Sequence, residues 1–129
     1  MRRSGPWTLK KVYELFPVLG ERRNQASTSL SGGQQQLAAI SRALMANPEL
    51  ILLDEISLGL APIVIQQLYD AFPSIVSEGM SAMVVEQDIN KALSVANRVY
   101  CLAEGRIALE GHVDNISHED ISRAYFGGA

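Results

Sequence analysis

The apolar residues of this chain follow two spacings, one typical of helices and one typical of buried strands. Over residues 34–47 they recur every three or four positions, which predicts an amphipathic helix with an apolar face formed by Leu37, Ile40 and Leu44. Asn47-Pro48 is expected to end this helix, because the residue before a proline avoids the helical conformation. The uninterrupted apolar run Leu50–Leu53 comes next and predicts a strand buried on both faces.

The rest of the chain continues the alternation of helices and strands. Helical spacing predicts four more helices, over residues 7–19, 62–79, 89–96 and 117–126. Further apolar runs predict three more strands, over residues 81–86, 98–103 and 106–110. We expect Pro17 to disturb the end of its helix, Pro73 to kink the helix that contains it, and Glu104-Gly105 to form a hairpin turn. This order of elements predicts an α/β fold with a mainly parallel sheet.

Composition narrows the class of protein. With 129 residues, of which 47% are apolar and 19% charged, the chain has the composition of one soluble globular domain with a moderate core. No apolar run is long enough to span a bilayer. The single cysteine, Cys101, cannot form an internal disulfide, so a reducing, cytosolic setting fits. A net charge of −3 gives no reason to expect nucleic-acid binding.

The first candidate site lies at the start of the helix at residues 34–47. Ser31 and Gln34 have the spacing of a capping box, in which each side chain bonds a backbone N–H of the first turn, and this structural role alone would explain them. Gly32-Gly33 needs a further reason, because glycine destabilises a helix. The pair suggests that a ligand approaches the backbone closely, and the N-terminus of a helix favours a phosphate.

The second candidate site is the pair of carboxylates after the apolar run. Asp54 and Glu55 are expected at the carboxyl end of a buried strand, where open α/β sheets bind their ligands. Asp54 could hold Mg²⁺ there, and Glu55 could orient or deprotonate an attacking water. The alternative interpretation is that both are ordinary solvated acids at a strand-to-loop turn.

Together, at this separation, the two motifs resemble those of the ATP-binding subunits of ABC transporters. Leu30-Ser31-Gly32-Gly33-Gln34 matches the signature motif of that family, and the Leu50–Glu55 segment matches its Walker B strand. The Ser57–Pro62 segment is similar to the D-loop of the subgroup that serves branched-chain amino acid importers. The similarity extends through the closing Tyr125–Gly128 segment.

The resemblance implies a partial P-loop NTPase (RecA-like) fold, a three-layer α/β arrangement preceded by the end of the ABC helical subdomain. Residues 1–47 would form that end of the helical subdomain, and residues 48–129 the carboxyl-terminal half of the ATPase core. The implied cofactors are ATP and Mg²⁺. The implied partners are a second ATPase subunit, identical or different, and transmembrane permease subunits. The implied location is cytoplasmic, at the inner face of the plasma membrane.

Roles for individual residues are implied by the same resemblance. The γ-phosphate of ATP held by a partner subunit would be contacted by the signature residues Leu30, Ser31, Gly32, Gly33 and Gln34. Asp54 would serve Mg²⁺, and Glu55 would be the general base for the attacking water. Gln87 stands where most of the family has a histidine that contacts the γ-phosphate, and glutamine can hydrogen-bond there without carrying charge.

The chain also departs from the family pattern. Ile56 replaces the proline that usually follows the glutamate, which leaves that loop less constrained, and Ala61 occupies the usual D-loop aspartate position. No glycine is followed by lysine, so the phosphate-binding Walker A motif is absent from these residues. We therefore expect the carboxyl-terminal portion of a subunit. Its sheet would lack the strand between those at 81–86 and 98–103, and it would bind ATP weakly or not at all by itself.

Several functional hypotheses remain open. The first is an ATP-hydrolysing component of a branched-chain amino acid importer, present as a partial subunit that is inactive alone. The second is a non-catalytic remnant or interaction partner that lends its signature motif to a full-length ATPase subunit. A DNA-repair or translation ABC ATPase is disfavoured, because the chain has no long heptads and no basic stripe. An unrelated α/β domain would have to match two independent motifs by coincidence.

Overall fold

The computed structural model describes residues 4–127. Its helices are α1 (Leu9–Leu15), α2 (Pro17–Glu21), α3 (Gly32–Leu44), α4 (Pro62–Val76), α5 (Ile89–Val95) and α6 (His118–Phe126). Its strands are β1 (Leu50–Asp54), β2 (Ser81–Val85), β3 (Arg98–Ala103) and β4 (Arg106–His112). Single 3-10 turns lie at Ser27–Ser29 and Val113–Asn115. Gly128, the last residue of the Tyr125–Gly128 segment, lies outside the described range.

The described residues form two compact units, one that ends at Glu86 and one that begins at Gln87. In the first unit β1 and β2 form a parallel pair, with Leu50 opposite Ser81 and Asp54 opposite Val85. Parallel neighbours need a crossover connection, and here the connection contains α4. The buried core of this unit includes Leu37, Ile40, Leu44, Ile51, Leu53, Leu68, Phe72 and Ile75. The division at residue 47 into a helical subdomain and an ATPase core stays a prediction.

The β1–β2 pair packs on the core with one face only. Ile51 and Leu53 are buried, whereas the alternate residues of β1 and β2 form an open face that is between 49% and 67% exposed and consists of Leu50, Leu52, Met83 and Val85. The prediction that the Leu50–Leu53 strand is buried on both faces is therefore wrong for residues 4–127. The physical reason is that successive strand residues point to opposite faces, and among the described residues only the face that carries Ile51 and Leu53 is covered.

In the second unit β3 and β4 form an antiparallel hairpin. Its turn is Glu104-Gly105, as predicted, and both residues have positive φ (51° and 75°), the conformation that two-residue hairpin turns favour. The prediction of one mainly parallel sheet is wrong within the described residues, where β1–β2 and β3–β4 are separate two-stranded sheets.

The last helix is closed at both ends as its sequence predicts. The Ser117 hydroxyl oxygen accepts a hydrogen bond from the Asp120 N–H at 3.1 Å, and the Asp120 carboxylate accepts from the Ser117 N–H at 2.9 Å. The Ser117 hydroxyl also donates to the Asp120 carboxylate at 2.6 Å, and this bond, together with the one from the Ser117 N–H, holds the pKa of the Asp120 carboxyl below its usual value. Gly127 ends the helix in the left-handed conformation, with φ of 66°.

The two helical prolines act differently. Pro17 occupies the first turn of α2, so the single helix expected over residues 7–19 is divided into α1 and α2. A proline fits there because its missing N–H would have no helical partner. Pro73 lies inside α4, which continues to Val76.

Among the described residues no helix is both long and apolar enough to cross a membrane.

One buried asparagine ties the segment before α1 to the turn after α3. Asn47 Oδ1 accepts a hydrogen bond from the Trp7 N–H at 2.7 Å, and Asn47 Nδ2 donates to the Trp7 carbonyl at 3.2 Å. Both residues are buried, so these bonds are shielded from water. Asn47 also has a φ of 51°, a conformation that asparagine adopts more readily than most residues. This turn lies close to the predicted end of the helix.

We expect Asn47→Ala to lower the free energy of unfolding by about 1–3 kcal/mol, because two buried backbone groups of Trp7 lose their partners. Alanine is also strained at positive φ. Asn47→Gly is the matched control, since it tolerates the left-handed conformation and removes only the side-chain bonds. Urea unfolding followed by the fluorescence of Trp7, the single tryptophan, measures both variants. Wild-type stability in Asn47→Ala would contradict the expectation.

Candidate functional site

The N-terminus of α3 is closed by the capping box that the sequence predicts. The Ser31 hydroxyl oxygen accepts a hydrogen bond from the Gln34 N–H at 3.3 Å, and Gln34 Oε1 accepts from the Ser31 N–H at 3.1 Å. Gln35 Nε2 donates to the Leu30 carbonyl at 3.0 Å, which ties the preceding residue to the same turn. The structural role proposed for Ser31 and Gln34 is therefore present.

Two backbone donors of this turn remain available. The N–H groups of Gly32 and Gly33 have no acceptor within residues 4–127. They lie at the positive end of a 13-residue helix. Such donors bind anions, and phosphate is a common ligand at this position. The turn can thus satisfy its own cap and still offer two N–H groups to a ligand.

The two glycines have different reasons to lack a side chain. A Cβ on Gly33 would lie 2.7 Å from Val64 Cγ2, so Gly33 allows α3 to pack closely against α4. A Cβ on Gly32 would have no atom within 4 Å. The sequence suggested that a ligand approaches the backbone closely at both glycines. This explanation is needed only for Gly32, because at Gly33 the group that approaches the backbone is the Val64 side chain.

Asp54 ends β1 and is exposed. In the described part of the chain its carboxylate has no ion pair and no hydrogen-bonded side chain. Residues 4–127 contain no cluster of three or more His, Cys, Asp or Glu suited to a metal. Mg²⁺ does not need such a cluster, because it usually keeps several waters and takes one or two carboxylates. Asp54 therefore fits a role as a magnesium ligand.

Glu55 follows at a sharp turn of the backbone. Its φ is 45°, in the left-handed region that few residues other than glycine adopt. Its N–H donates to the Val85 carbonyl at 2.9 Å, and its carbonyl accepts from the Leu58 N–H at 3.0 Å. Ile56 is 4% exposed, so the next side chain anchors the turn in the core. The loop that lacks the expected proline is thus held by burial and backbone hydrogen bonds.

Gln87, the predicted γ-phosphate contact, is exposed and begins the second unit. The next residue, Asp88, caps α5 and forms an ion pair with Lys91, whose Nζ lies 3.0 Å from the Asp88 carboxylate. These contacts with Lys91 hold the pKa of Asp88 below its usual value. The role of Gln87 toward a phosphate stays a prediction.

Glu86 is a carboxylate beside the turn of Glu55, and the sequence did not single it out. Glu86 directly follows β2, and its two carboxylate oxygens accept hydrogen bonds from Ser57 Oγ at 2.8 Å and from the Tyr69 hydroxyl at 2.7 Å. Ser57 lies two residues after Glu55, and Tyr69 lies in α4. The available signal was a carboxylate at the carboxyl end of a second strand, but its partners depend on the tertiary structure.

Comparison with known proteins identifies the family. The ABC transporter family model matches residues 7–57, which contain both candidate motifs. These residues belong to the ABC transporter family. The chain is 46% identical over 121 residues to the high-affinity branched-chain amino acid transport ATP-binding protein BraG of Pseudomonas aeruginosa, covering 93% of this chain and 52% of that protein. It is 40% identical over 106 residues to the phosphonates import ATP-binding protein PhnC of Trichormus variabilis, covering 80% of this chain and 43% of that protein.

Solved ABC cassettes share the fold. A nucleotide-free ATP-binding cassette from an ABC transporter matches with a TM-score of 0.73 at 27% identity, covering 89% of this chain and 44% of that chain. A dimeric cassette bound to ADP and Pi matches with a TM-score of 0.68 at 26% identity, covering 86% of this chain and 51% of that chain. The predicted fold class, a partial P-loop NTPase, is confirmed. The chain spans about half the length of the curated relatives it matches.

The two glycines of the ABC signature motif give a matched pair of variants. We expect Gly33→Ala to lower the free energy of unfolding by about 1–3 kcal/mol, because the added methyl group collides with Val64. Gly32→Ala should leave stability unchanged or raise it by up to about 1 kcal/mol, because its Cβ has room and alanine favours the helix.

Urea unfolding measures both variants, and Gly33→Ala combined with Val64→Ala is the rescue control. The double variant should lose less stability than the two single changes together, since the small side chain at position 64 removes the collision. Equal stability of the two glycine variants would show that packing against α4 does not require Gly33.

Proposed function

We propose that this chain is part of the ATP-binding component of an ABC transporter and contributes its signature motif and catalytic carboxylates to ATP hydrolysis. The observation that carries the proposal is the geometry at the carboxyl end of β1. There an exposed Asp54, whose carboxylate has no ion pair and no hydrogen-bonded side chain within residues 4–127, precedes Glu55, whose backbone is held by the Val85 carbonyl at 2.9 Å. This end of β1 lies within the segment that matches the ABC transporter family.

The signature motif would bind the nucleotide held by a second ATPase subunit. The N–H groups of Gly32 and Gly33 have no acceptor in the described structure and would donate to oxygens of the γ-phosphate. The Ser31 hydroxyl already accepts from Gln34, so its own proton can be donated to the same phosphate. A related cassette is described as dimeric and bound to ADP and Pi, which supports a two-subunit arrangement.

The two carboxylates would have separate tasks. Asp54 would hold Mg²⁺, which when bound neutralises negative charge on the phosphates. Glu55 would accept a proton from the water that attacks the γ-phosphate. The fixed backbone on both sides of Glu55 favours this task, because a general base must be held within hydrogen-bonding reach of its water. Gln87 would donate a hydrogen bond to the γ-phosphate from its side-chain amide.

The phosphate loop would come from polypeptide outside these 129 residues, which contain no Gly-Lys pair. The open face of β1 and β2 supports this division of the site. It presents four large apolar side chains to solvent, a surface that sheets normally bury. We expect a segment that carries the phosphate loop to cover this face. The relatives are about twice as long as this chain, so they contain enough residues for such a segment.

For the transported substrate we propose branched-chain amino acids. Identity to BraG is 46% over 93% of the chain, compared with 40% over 80% for a phosphonate import protein. The Ser57–Pro62 segment, with Ala61 in it, adds to this resemblance. In that system the chain would act at the inner face of the plasma membrane together with permease subunits.

A chimeric subunit tests the proposal directly. The chain replaces its aligned segment of BraG, and phosphate release from Mg-ATP is measured. We expect hydrolysis, and we expect Glu55→Gln to lower kcat by about 10²- to 10⁴-fold, because glutamine cannot accept the proton. Glu110→Gln is the control, since Glu110 is an exposed acid on β4. Hydrolysis that survives Glu55→Gln would contradict the role of the general base.

The same experiment decides between the two main functions. If unmodified BraG hydrolyses ATP and the chimera does not, the chain is a non-catalytic relative. If the separate chain instead stimulates full-length BraG and Ser31→Ala removes the effect, the chain lends its signature motif to another subunit.

The separate chain should bind Mg-ATP weakly or not at all, because the phosphate loop is not among its residues. Isothermal titration of the full chain with Mg-ATP measures this. Clear binding that Asp54→Ala abolishes would mean that these residues form a nucleotide site without the loop.

A further inference from the structure

The carboxylate of Glu86 joins three elements of the first unit. It follows β2, and its Oε2 accepts from Ser57 Oγ at 2.8 Å while its Oε1 accepts from the Tyr69 hydroxyl at 2.7 Å. Each oxygen therefore has a different donor, one in the loop after β1 and one in α4. Hydrogen bonds from hydroxyl groups to a carboxylate are short and stronger than those between neutral groups.

The Tyr69 end of this connection is rigid. Tyr69 is 8% exposed and its ring stacks on Phe72, with the ring centroids 5.5 Å apart. Phe72 is buried in the same helix. The packed ring sets the position of the Tyr69 hydroxyl, and the hydroxyl in turn limits the rotamers open to Glu86.

The Ser57 end of the connection belongs to the turn that carries Glu55. The Glu55 N–H bonds to the Val85 carbonyl at 2.9 Å, and Ser57 bonds to Glu86 at 2.8 Å. Val85, the last residue of β2, thus holds Glu55, and Glu86, the next residue, holds Ser57. Ile56 lies between these two fixed residues and is itself buried. The backbone at Glu55 is in an unfavourable conformation, with φ of 45°, and such a conformation persists only where neighbouring contacts enforce it.

We infer that Glu86 is a positioning residue for Glu55 and acts through Ser57, with Tyr69 as its anchor. This inference rests on the proposed function, in which Glu55 is the general base. Glu86 does not touch the reacting atoms. It holds the turn so that the Glu55 carboxylate keeps one position relative to the attacking water.

Amide hydrogen exchange on the full chain tests the positioning without nucleotide. The Leu58 N–H is the probe, because its bond to the Glu55 carbonyl at 3.0 Å closes the turn. We expect Glu86→Gln and Ser57→Ala each to raise its exchange rate by about tenfold, since the first removes the charge that strengthens the Ser57–Glu86 bond and the second removes its donor. The double variant should exchange no faster than the faster single variant, because both changes act on the same bond.

Gln35 gives the internal control for exchange, since its N–H bonds to the Ser31 carbonyl at 2.9 Å at the other candidate site. Its rate should stay unchanged in every variant. Tyr69→Phe should raise exchange at Leu58 less than Glu86→Gln does, because the bond to Ser57 survives. Unchanged exchange at Leu58, equal acceleration at Gln35, or additive effects of Ser57→Ala and Glu86→Gln would overturn the inference.

Hydrolysis by the chimeric subunit separates this inference from the proposed function. We expect Glu86→Gln and Ser57→Ala to lower kcat by about tenfold with little change in the KM for ATP, since positioning of the base affects chemistry more than nucleotide binding. If Glu55→Gln abolishes hydrolysis while these variants keep wild-type kcat, the inference fails and the proposed function stands. If Glu55→Gln has no effect, the proposed function fails, and exchange at Leu58 still decides whether Glu86 orders the turn.

Discussion

The parallel pairing of β1 with β2 is the constraint on which the candidate site depends. Asp54 lies opposite Val85, so both strands end at the same edge and the residues after them, Glu55 and Glu86, emerge side by side. The backbone bond from Glu55 to Val85 extends the pairing by one residue. A shift of one residue would move Ile51 and Leu53 from the core to the open face, so burial of these side chains sets the register.

The start of α3 shows how one motif can combine structural and binding roles. Ser31 and Gln34 satisfy each other, and Gly33 admits Val64 of α4. These contacts place the helix start within the packed unit before any ligand is present. Gly32 has no such internal reason to be glycine. The contacts of Ser31, Gln34 and Gly33 thus hold the start of the helix in place, while the N–H groups of Gly32 and Gly33 stay available to a phosphate.

The open face and the missing phosphate loop are consistent with each other. A parallel pair of strands normally has both faces covered, yet this one presents Leu50, Leu52, Met83 and Val85 to solvent in the described residues. Under the proposed function, one segment outside these 129 residues would both cover the exposed face and carry the phosphate loop; the chain itself spans about half the length of its relatives. These exposed apolar side chains also make the face prone to association with other apolar surfaces.

The sequence by itself determined the local structure and the family. Helical and strand spacing, the caps at Ser31 and Ser117, the hairpin turn at Glu104-Gly105 and the two ABC motifs are all properties of neighbouring residues, which is why they could be predicted. Tertiary structure alone decided the contacts between distant residues. Burial on one face of β1, the packing of Gly33 on Val64, and the bonds from Ser57 and Tyr69 to Glu86 depend on how β1, α4 and β2 pack together. The spacing of residues along the chain predicts which face of a helix or strand a residue occupies, but it does not predict which distant residue that face will contact.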